Sequence, residues 1–407
     1  MSSQPSQPDT QALAQPYAHA VFHASGLGGS AGARVVEGCW CIDQATPDPL
    51  ETIERIMHQH ASPRCTWALM LSYELGGSCE PHAQSAIADP IGFPLCVVMR
   101  LGDASQCERN HTDSYTIGPA RSLSGRSRYI RQVERVRSYI GEGDIYQANI
   151  AHHLVCPFQG DPLACAHDLQ HGAQPRYGAT MRFEHRGTSH TICSVSPELF
   201  VRLDRLSGRI KTEPMKGTRA IDGDADELEQ SPKDRAELNM ITDLMRNDLG
   251  RVCTLGSVRV QQARKIEPHA SGVIQASSVI EGTLGSDVGI AALIRAIFPP
   301  GSVTGAPKVR AMQIIDELEQ RSRRSYCGSM MHIDEHGNIE ACVSIRTAHI
   351  WGEASADNPD QIVNGQFIYP VGAGIVADSD PESEWEETLV KAGVLRSVLG
   401  LDLGDLG

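Results

Sequence analysis

Apolar and polar residues follow two different patterns along the chain. Between residues 21 and 118, short apolar runs such as Cys65–Leu71 stand between glycine and proline turns, which predicts strands with one helix near Pro49–His60. Further on, apolar residues recur at helical spacing until Gly141, which predicts a helix over Arg126–Ile140. A strand-like run at Ile145–Ile150 follows. Strand runs and long helices without regular β-α-β alternation favour an α+β fold.

A helix predicted from Ser231 to Leu249 carries acidic residues on its apolar side. A Ser at the N-cap, a Pro after it and Asp234 three residues later specify its start. At about 100° per residue, Glu237 and Asp248 fall on or beside the apolar stripe. A buried carboxylate needs a proton, a cation or a metal. The simpler interpretation is that these carboxylates form salt bridges to another element. The alternative, which would mark a functional site, is that they are metal ligands.

The last predicted helix begins near Asp380-Pro381 and repeats this pattern. Its Glu384 and Glu387 lie on the same side as Lys391. Because Glu387 and Lys391 stand at i,i+4, a surface ion pair between them is enough to explain both residues, and no metal site is required. Two helices with acidic residues beside apolar stripes nonetheless indicate a shared site for a hard cation. Oxygen ligands favour magnesium over zinc.

Two glycine-rich segments are suited to an anion. Residues 298–308 run into a helix predicted over Val309–Leu318, and amides at a helix start with hydroxyls such as that of Thr304 attract negative charge. This is not a Walker loop, because Lys308 follows Pro and precedes Val. Backbone amides at Gly372-Ala373-Gly374 can approach a ligand closely, although a plain strand turn explains a lone glycine pair equally well.

Two cationic side chains are candidates for contact with a substrate. Arg346 lies in the strand-like apolar run Val343–Thr347, where it needs a counter-ion such as a carboxylate. Lys216, followed by Gly217, is by itself most simply a solvated turn lysine. It becomes a nucleophile only where burial or nearby cations keep its amine neutral. The residues alone thus indicate an α+β enzyme with a magnesium site that acts on a small carboxylate.

Composition excludes several other classes of protein. A formal net charge of −14 over 407 residues argues against a nucleic-acid or anionic-membrane partner. The twelve cysteines include no C-x-x-C pair, so neither a zinc site nor a disulfide framework is predicted. No apolar run approaches the roughly 20 residues of a membrane span, and no signal-peptide pattern opens the chain. We therefore expect a cytoplasmic protein.

Six segments between about Arg126 and Leu399 together resemble the chorismate-utilising enzymes, the family of anthranilate synthase component I, aminodeoxychorismate synthase component I, isochorismate synthase and salicylate synthase. They occur in family order. The segments are GDIYQANI at 143–150, SPELF at 196–200, PMKGTR at 214–219, KDRAELNMITDLMRNDLGRV at 233–252, GSVTGAPKVRAMQIIDELE at 301–319 and GAGIVADSDPESEWEET at 372–388.

The resemblance implies a sandwich of two mainly antiparallel sheets flanked by helices, with chorismate and one Mg²⁺ between the sheets. It divides the chain into a disordered tail at 1–16, an N-terminal part of the fold at 17–120 and a chorismate-binding catalytic region at 121–401, the last two forming one structural unit. The implied metal ligands are Glu237, Glu384 and Glu387. The implied substrate-binding residues are Gly217, Thr218, Thr304, Tyr326, Arg346, Gly372, Ala373 and Gly374.

Position 216 distinguishes members of this family. The loop resembles that of aminodeoxychorismate synthases, which carry Lys there, whereas anthranilate synthases carry a small residue. The implied reaction converts chorismate and ammonia to 4-amino-4-deoxychorismate, for para-aminobenzoate and folate biosynthesis. Lys216 would attack C2 of the ring, and Glu198 would act as general acid for the departing 4-hydroxyl.

The resemblance also implies a separate glutamine amidotransferase that supplies ammonia, because no nucleophile-elbow cysteine is found here. The chain departs from the family pattern in several places. Gln275 stands where many members have His, and His152-His153 stand where Gln-Arg is more usual. Anthranilate synthase component I and isochorismate synthase stay as alternative activities, and a catalytically silent scaffold homologue is an alternative of a different class.

Overall fold

The computed structural model describes residues 18–24, 34–102, 114–220, 231–269, 273–404 and 406. The tail predicted at 1–16 lies outside these residues. So does the side chain of Thr218, of which only the backbone is described.

Nineteen strands in the described part of the chain form two layers. They are β1 (His19–Ala24), β2 (Arg34–Ile42), β3 (Thr66–Leu71), β4 (Cys96–Leu101), β5 (Tyr115–Ile117), β6 (Arg121–Ser122), β7 (Gln147–Gly160), β8 (Tyr177–His185), β9 (Thr188–Ser196), β10 (Leu199–Asp204), β11 (Arg209–Glu213), β12 (Met215–Ala220), β13 (Arg259–His269), β14 (Val273–Thr283), β15 (Gly305–Ala306), β16 (Ser329–Ile333), β17 (Ile339–Val343), β18 (Thr347–Ala354) and β19 (Ile362–Ile375).

The strands within each layer pair antiparallel. The first sheet has the order β2-β4-β3-β16-β17-β10-β11-β14-β13, and β12 continues the edge of β11 along β14. The second has the order β1-β8-β9-β18-β19-β7, with the short strands β5, β6 and β15 against the far side of β7. The two sheets join where β1 pairs with β2. This architecture is of the predicted α+β class.

Helices cover the outer faces of both sheets. They are α1 (Pro49–Gln59), α2 (Gly76–Cys79), α3 (Arg126–Gly141), α4 (Pro162–Ala173), α5 (Pro232–Gly250), α6 (Ile290–Ile297), α7 (Lys308–Glu319), α8 (Pro381–Lys391) and α9 (Gly393–Leu399), with 3-10 turns at Tyr73–Leu75, Pro81–Ala83 and Gly301–Val303. No helix among the described residues is long and apolar enough to cross a membrane.

Three large apolar clusters among the described residues hold the layers together, and a small fourth cluster packs Leu238 of α5 against Ile274 and Ala276 of β14. One lies between the first sheet and α1, α5 and α6, and a second lies between the second sheet and α3, α4, α7 and α8. The third fills the space between the sheets, where Met70 and Met99 of the first sheet meet Met181 of the second. The sandwich therefore buries both faces of each sheet, which accounts for the continuous apolar runs in its central strands.

Local sequence signals specify the helices well. Ser231 caps α5 by accepting a hydrogen bond from the amide of Asp234 at 3.2 Å, as predicted. Asp380 caps α8 in the same way through Ser383. The apolar stripe of α5 is buried, as its spacing predicts. One local prediction is wrong: Arg346 does not lie within a strand but in the break between β17 and β18, with a positive φ of 49°.

Candidate active site

The side chain of Lys216 enters a buried space beside helix α5. A bulge in the pairing of β12 with β14 falls between Lys216 and Thr218, and Gly217 takes up the bend with a φ of 79° that favours glycine. The Lys216 Nζ lies 4.0 Å from the Glu237 Oε2, and each side chain is only 13% exposed. Lys216 is thus not the solvated turn lysine that its local sequence indicates.

Gly374 of β19 lies directly against the Lys216 amine. A Cβ added to Gly374 would overlap the Lys216 ammonium and would come within 3.0 Å of the Gln147 Nε2. Gly372 and Gly374 pair with Ala151 and Asn149 of β7. The missing side chain of Gly374 therefore leaves room for the Lys216 amine, whereas the sequence predicted only that backbone amides at this glycine pair could approach a ligand.

Glu198 is a buried carboxyl group near this lysine. It is 3% exposed, and its Oε1 accepts a hydrogen bond of 2.5 Å from the hydroxyl of Ser302. Burial raises the pKa of Glu198 from its ordinary 4.5 to about 7, against the opposing effects of the Ser302 hydrogen bond and the Lys216 charge. A carboxyl group with this pKa can donate a proton near neutral pH.

The loop between α6 and α7 holds Ser302 in place. The carbonyl of Thr304 accepts from the amide of Asn149 at 2.8 Å, so the loop is fastened to β7. The Thr304 hydroxyl lies 3.2 Å from the carbonyl oxygens of both Pro300 and Gly301, within its own loop. The geometry therefore assigns Ser302 to the carboxyl of Glu198 and gives the Thr304 hydroxyl a local partner.

Of the two residues predicted to hold substrate carboxylates, Tyr326 is buried and Arg346 is half-buried. Tyr326 is 4% exposed, and burial raises the pKa of its phenol. Burial lowers the pKa of the Arg346 guanidinium, which is near the phenol of Tyr369. Within the described part of the chain, Arg346 forms no ion pair with a carboxylate. An anionic ligand would give this guanidinium its counter-ion.

The predicted metal ligands occupy two helices. Besides Glu237 on α5, helix α8 carries Glu384, which is buried and accepts from Ser379 at 2.6 Å. Glu387 is 53% exposed and forms the i,i+4 ion pair with Lys391 at 2.6 Å. Among the described residues, no group of three or more His, Cys, Asp and Glu side chains is arranged to hold a metal ion.

Lys391 and Asp248 have other partners. The Lys391 ammonium donates to the carbonyl of Gly372 at 2.9 Å, which ties α8 to β19. The Asp248 carboxylate pairs with Lys308 at 2.7 Å, with both side chains buried. The simpler interpretation of Asp248, a salt bridge to another element, is therefore confirmed.

Three more of the predicted substrate-binding residues contribute no described side-chain group to the space between the sheets. The methyl group of Ala373 faces the outer helices rather than the space between the sheets. Thr218 pairs with Gln275 of β14 through the backbone, and its side chain lies outside the described residues. Gly217 contributes the bend described above.

Sequence reasoning missed Gln147. Its side chain is fully buried beside Gly374, and neither its amide nitrogen nor its amide oxygen has a hydrogen-bond partner in the described structure. A signal was present, because Gln147 and Asn149 alternate with apolar residues on a strand that is buried on both faces. Unsatisfied buried amide groups of this kind mark a place for a polar ligand.

Comparison with known proteins gives the following similarities. A family model described as chorismate binding enzyme matches residues 103–397. Aminodeoxychorismate synthase component 1 of Klebsiella aerogenes is 38% identical over 278 residues, which cover 67% of this chain and 57% of that protein. The protein of the same name from Escherichia coli (strain K12) is 39% identical, covering 65% and 56%. Anthranilate synthase component 1 of Bacillus caldotenax is 36% identical, covering 69% and 56%. The chain thus spans a little over half the length of these curated relatives.

Solved structures show the same architecture. Anthranilate synthase component I from Streptococcus pneumoniae TIGR4 superposes with a TM-score of 0.72 at 22% identity and covers 96% of this chain and 94% of that one. The menaquinone-specific isochorismate synthase of Escherichia coli gives 0.66 at 19% identity, covering 95% and 89%. At these identities the likeness concerns the fold alone. It confirms the predicted α+β sandwich of two sheets.

Proposed function

The chain belongs to the family of chorismate binding enzymes, and on that premise we propose that it is an aminodeoxychorismate synthase component 1, which converts chorismate and ammonia to 4-amino-4-deoxychorismate. The observation that carries the proposal is the position of Lys216. Its amine is buried against Gly374, close to Glu237 and to the carboxyl of Glu198. The similarity to relatives that bear this name adds support.

The reaction has two displacement steps. In the first, the amine of Lys216 forms a bond to C2 of the ring, both ring double bonds shift along the ring, and the C4–oxygen bond breaks. Protonated Glu198 gives its proton to the departing hydroxyl, which leaves as water. In the second, ammonia forms a bond to C4, both double bonds shift back, the C2–nitrogen bond to the lysine breaks, and Glu198 regains a proton from the new ammonium group. The sum is chorismate plus ammonia giving aminodeoxychorismate plus water.

The buried cations and dipoles account for substrate binding in this proposal. Arg346 would pair with one carboxylate of chorismate, because a planar guanidinium makes two parallel hydrogen bonds to a carboxylate. Tyr326 and the backbone of Gly372 and Gly374 would complete the cradle. Gln147 would turn its unsatisfied amide toward the bound ring or the incoming ammonia.

Mg²⁺ is the cofactor we propose, with Glu237, Glu384 and Glu387 as its carboxylates. The donor set fits, since Mg²⁺ prefers oxygen ligands and coordinates carboxylates together with water. As described, these carboxylates contact Lys216, Ser379 and Lys391, so binding of the ion would replace those partners. When bound, the ion would neutralise the ring carboxylate of chorismate.

We propose a glutamine amidotransferase subunit as the source of ammonia. The relatives are named as component 1, which indicates two-component enzymes. In that arrangement the product would feed para-aminobenzoate and folate biosynthesis, and we expect a cytoplasmic enzyme.

One experiment tests the proposal. The protein is incubated with chorismate, Mg²⁺ and ammonium at mildly alkaline pH, and the product is identified by mass and by conversion to para-aminobenzoate with a lyase. We expect aminodeoxychorismate from the wild type and a loss of at least about a hundredfold in Lys216→Met, which keeps the side-chain length without the amine. Lys211→Met is the matched control, because Lys211 lies on the preceding strand, β11, and pairs there with Glu213. Undiminished turnover in Lys216→Met would exclude the lysine nucleophile.

Anthranilate synthase is a second candidate, because relatives of that name are almost as similar. Its product is fluorescent and has lost pyruvate, so the same incubation distinguishes the two. Formation of anthranilate by the wild type would replace the proposed function with this one.

A further inference from the structure

His152 occupies a buried position on β7, on the face that the outer helices cover. It pairs through the backbone with Val371 of β19, directly beside Gly372. Its side chain is 1% exposed and stacks on the indole of Trp385, with ring centroids 4.4 Å apart and planes 27° apart. Trp385 belongs to α8 and lies between Glu384 and Glu387 in the sequence. The imidazole of His152 therefore packs directly against α8.

Both ring nitrogens of His152 have hydrogen-bond partners, and the partners fix the tautomer. The hydroxyl of Thr388 donates to the carbonyl of Trp385 at 2.6 Å, so its oxygen accepts from the His152 Nε2 at 2.9 Å. On the other side the hydroxyl of Ser122 donates to the His152 Nδ1 at 3.1 Å. An imidazole protonated on Nε2 satisfies both contacts.

These contacts form one directed chain of hydrogen bonds. The chain runs from the amide of Gly125 to Ser122, from Ser122 to His152, from His152 to Thr388 and on to Trp385. It joins the N-terminus of α3, the strand β7 and the helix α8. Within this chain the contact between β7 and α8 is the hydrogen bond from His152 to Thr388, so this bond holds the inner face of α8 against the sheet.

Rotation of α8 matters because of the residues on its inner face. Glu384 and Thr388 stand at i,i+4, on one side of the helix, and both are buried. Near Glu384 and Glu387 lies the buried phenol of Tyr129, whose pKa is raised first by burial and then by these two carboxylates. A rotation of α8 by one tenth of a turn about its axis would move a carboxylate oxygen by more than an ångström.

We propose that His152 is a positioning residue, which holds α8 through Thr388 so that Glu384 and Glu387 are presented to a divalent cation. This inference rests on the proposed function for the identity of the cation as Mg²⁺. Contacts that orient carboxylate ligands commonly change metal affinity by ten- to a hundredfold when they are lost. His152 acts through Thr388 and does not itself contact the ion.

Two substitutions of His152 separate positioning from packing. The amide of glutamine reaches as far as the imidazole Nε2, so His152→Gln keeps the donor to Thr388. The amide of asparagine reaches only as far as Nδ1, so His152→Asn keeps the contact with Ser122 and loses the one with Thr388. Thr388→Val removes the same contact from the other side, and Ser122→Ala removes the opposite one as a control.

The measurements are Mg²⁺ binding to the full chain by isothermal titration calorimetry and the Mg²⁺ concentration that gives half-maximal turnover. We expect His152→Asn and Thr388→Val to weaken both by about tenfold or more, with kcat at saturating Mg²⁺ within about threefold of wild type. We expect His152→Gln and Ser122→Ala to bind Mg²⁺ within about twofold of wild type.

The outcomes distinguish this inference from the proposed function. If His152→Asn lowers thermal stability but binds Mg²⁺ as the wild type does, His152 is a packing residue and the inference is overturned. A wild-type chain that binds no Mg²⁺ at millimolar concentration also overturns it. A wild type that binds Mg²⁺, loses it as expected in His152→Asn, and forms no aminodeoxychorismate refutes the proposed function alone.

Discussion

The hydrogen bond from Ser302 to Glu198 gives a quantitative prediction for the pH dependence of turnover. The bond is 2.5 Å long and buried, and its acceptor carries charge in the ionised form. A hydrogen bond to a charged group is worth about 1.5–3 kcal/mol, and about 1.4 kcal/mol corresponds to one pKa unit. Ser302→Ala therefore raises the pKa of Glu198 by roughly one to two units above its wild-type value of about 7.

The direction of the effect on activity follows from the role of Glu198. If its protonated form is the general acid, kcat/KM of the wild type falls as the pH rises through about 7. In Ser302→Ala the carboxyl group stays protonated longer, so this fall moves to higher pH by the same roughly one to two units. We would measure kcat/KM for chorismate from pH 6 to 10 at saturating ammonia, corrected for the fraction of ammonium that is deprotonated.

A control variant tests whether the shift is specific. Ser344→Ala removes a hydroxyl that is also fully buried but has no hydrogen-bond partner in the described structure. It should leave the position of the alkaline fall unchanged. A Ser302→Ala profile that coincides with the wild type, or that moves to lower pH, would refute the assignment of Glu198 as the acid.

Three further predictions concern the fold around the site. In Gly374→Ala the new methyl group displaces the flexible end of Lys216, so we expect turnover to drop by about tenfold or more while the melting temperature changes little. A large loss of stability would contradict this. Asp248→Ala strands the buried ammonium of Lys308 and should lower the free energy of unfolding in urea by roughly 3–5 kcal/mol, whereas a loss below about 1 kcal/mol would show that the pair is unimportant. Burial raises the pKa of Glu74 from 4.5 to about 7, so its contribution to stability is full below pH 4.5 and is lost as the pH rises through 7. Glu74→Gln should therefore flatten the fall in the free energy of unfolding between pH 5 and 8. An unchanged slope would refute this.

Helix boundaries and buried faces could be predicted from the sequence with good accuracy. Ser231 caps α5 as predicted, α8 begins at Pro381 where a helix start was predicted, and the apolar stripe of α5 is buried. These features depend on residues three or four positions apart, so their physical causes lie within a short segment. The resemblance to a known family extended the prediction to the two-sheet sandwich.

The partners of the charged side chains could not be predicted in this way. Asp248 and Glu237 lie on the same helix, and in the sequence both fall on or beside its apolar stripe. Only the tertiary placement of Lys308, at the start of α7, gives Asp248 the ammonium of a lysine sixty positions away, and only the placement of β12 brings Lys216 to Glu237. The sequence left open whether each was a salt bridge or a metal ligand.

The same distinction applies to Lys216 and Arg346. The sequence by itself determined that a lysine precedes a glycine in a turn-like segment and that an arginine interrupts an apolar run. Tertiary structure decided that the lysine is buried against Gly374 and that the arginine sits in a break between strands. The free energy of a charged side chain depends on the dielectric and the charges around it, and residues distant in sequence provide both. Most of the secondary structure could therefore be predicted from the sequence, whereas the tertiary structure decided the environment that gives each site residue its chemistry.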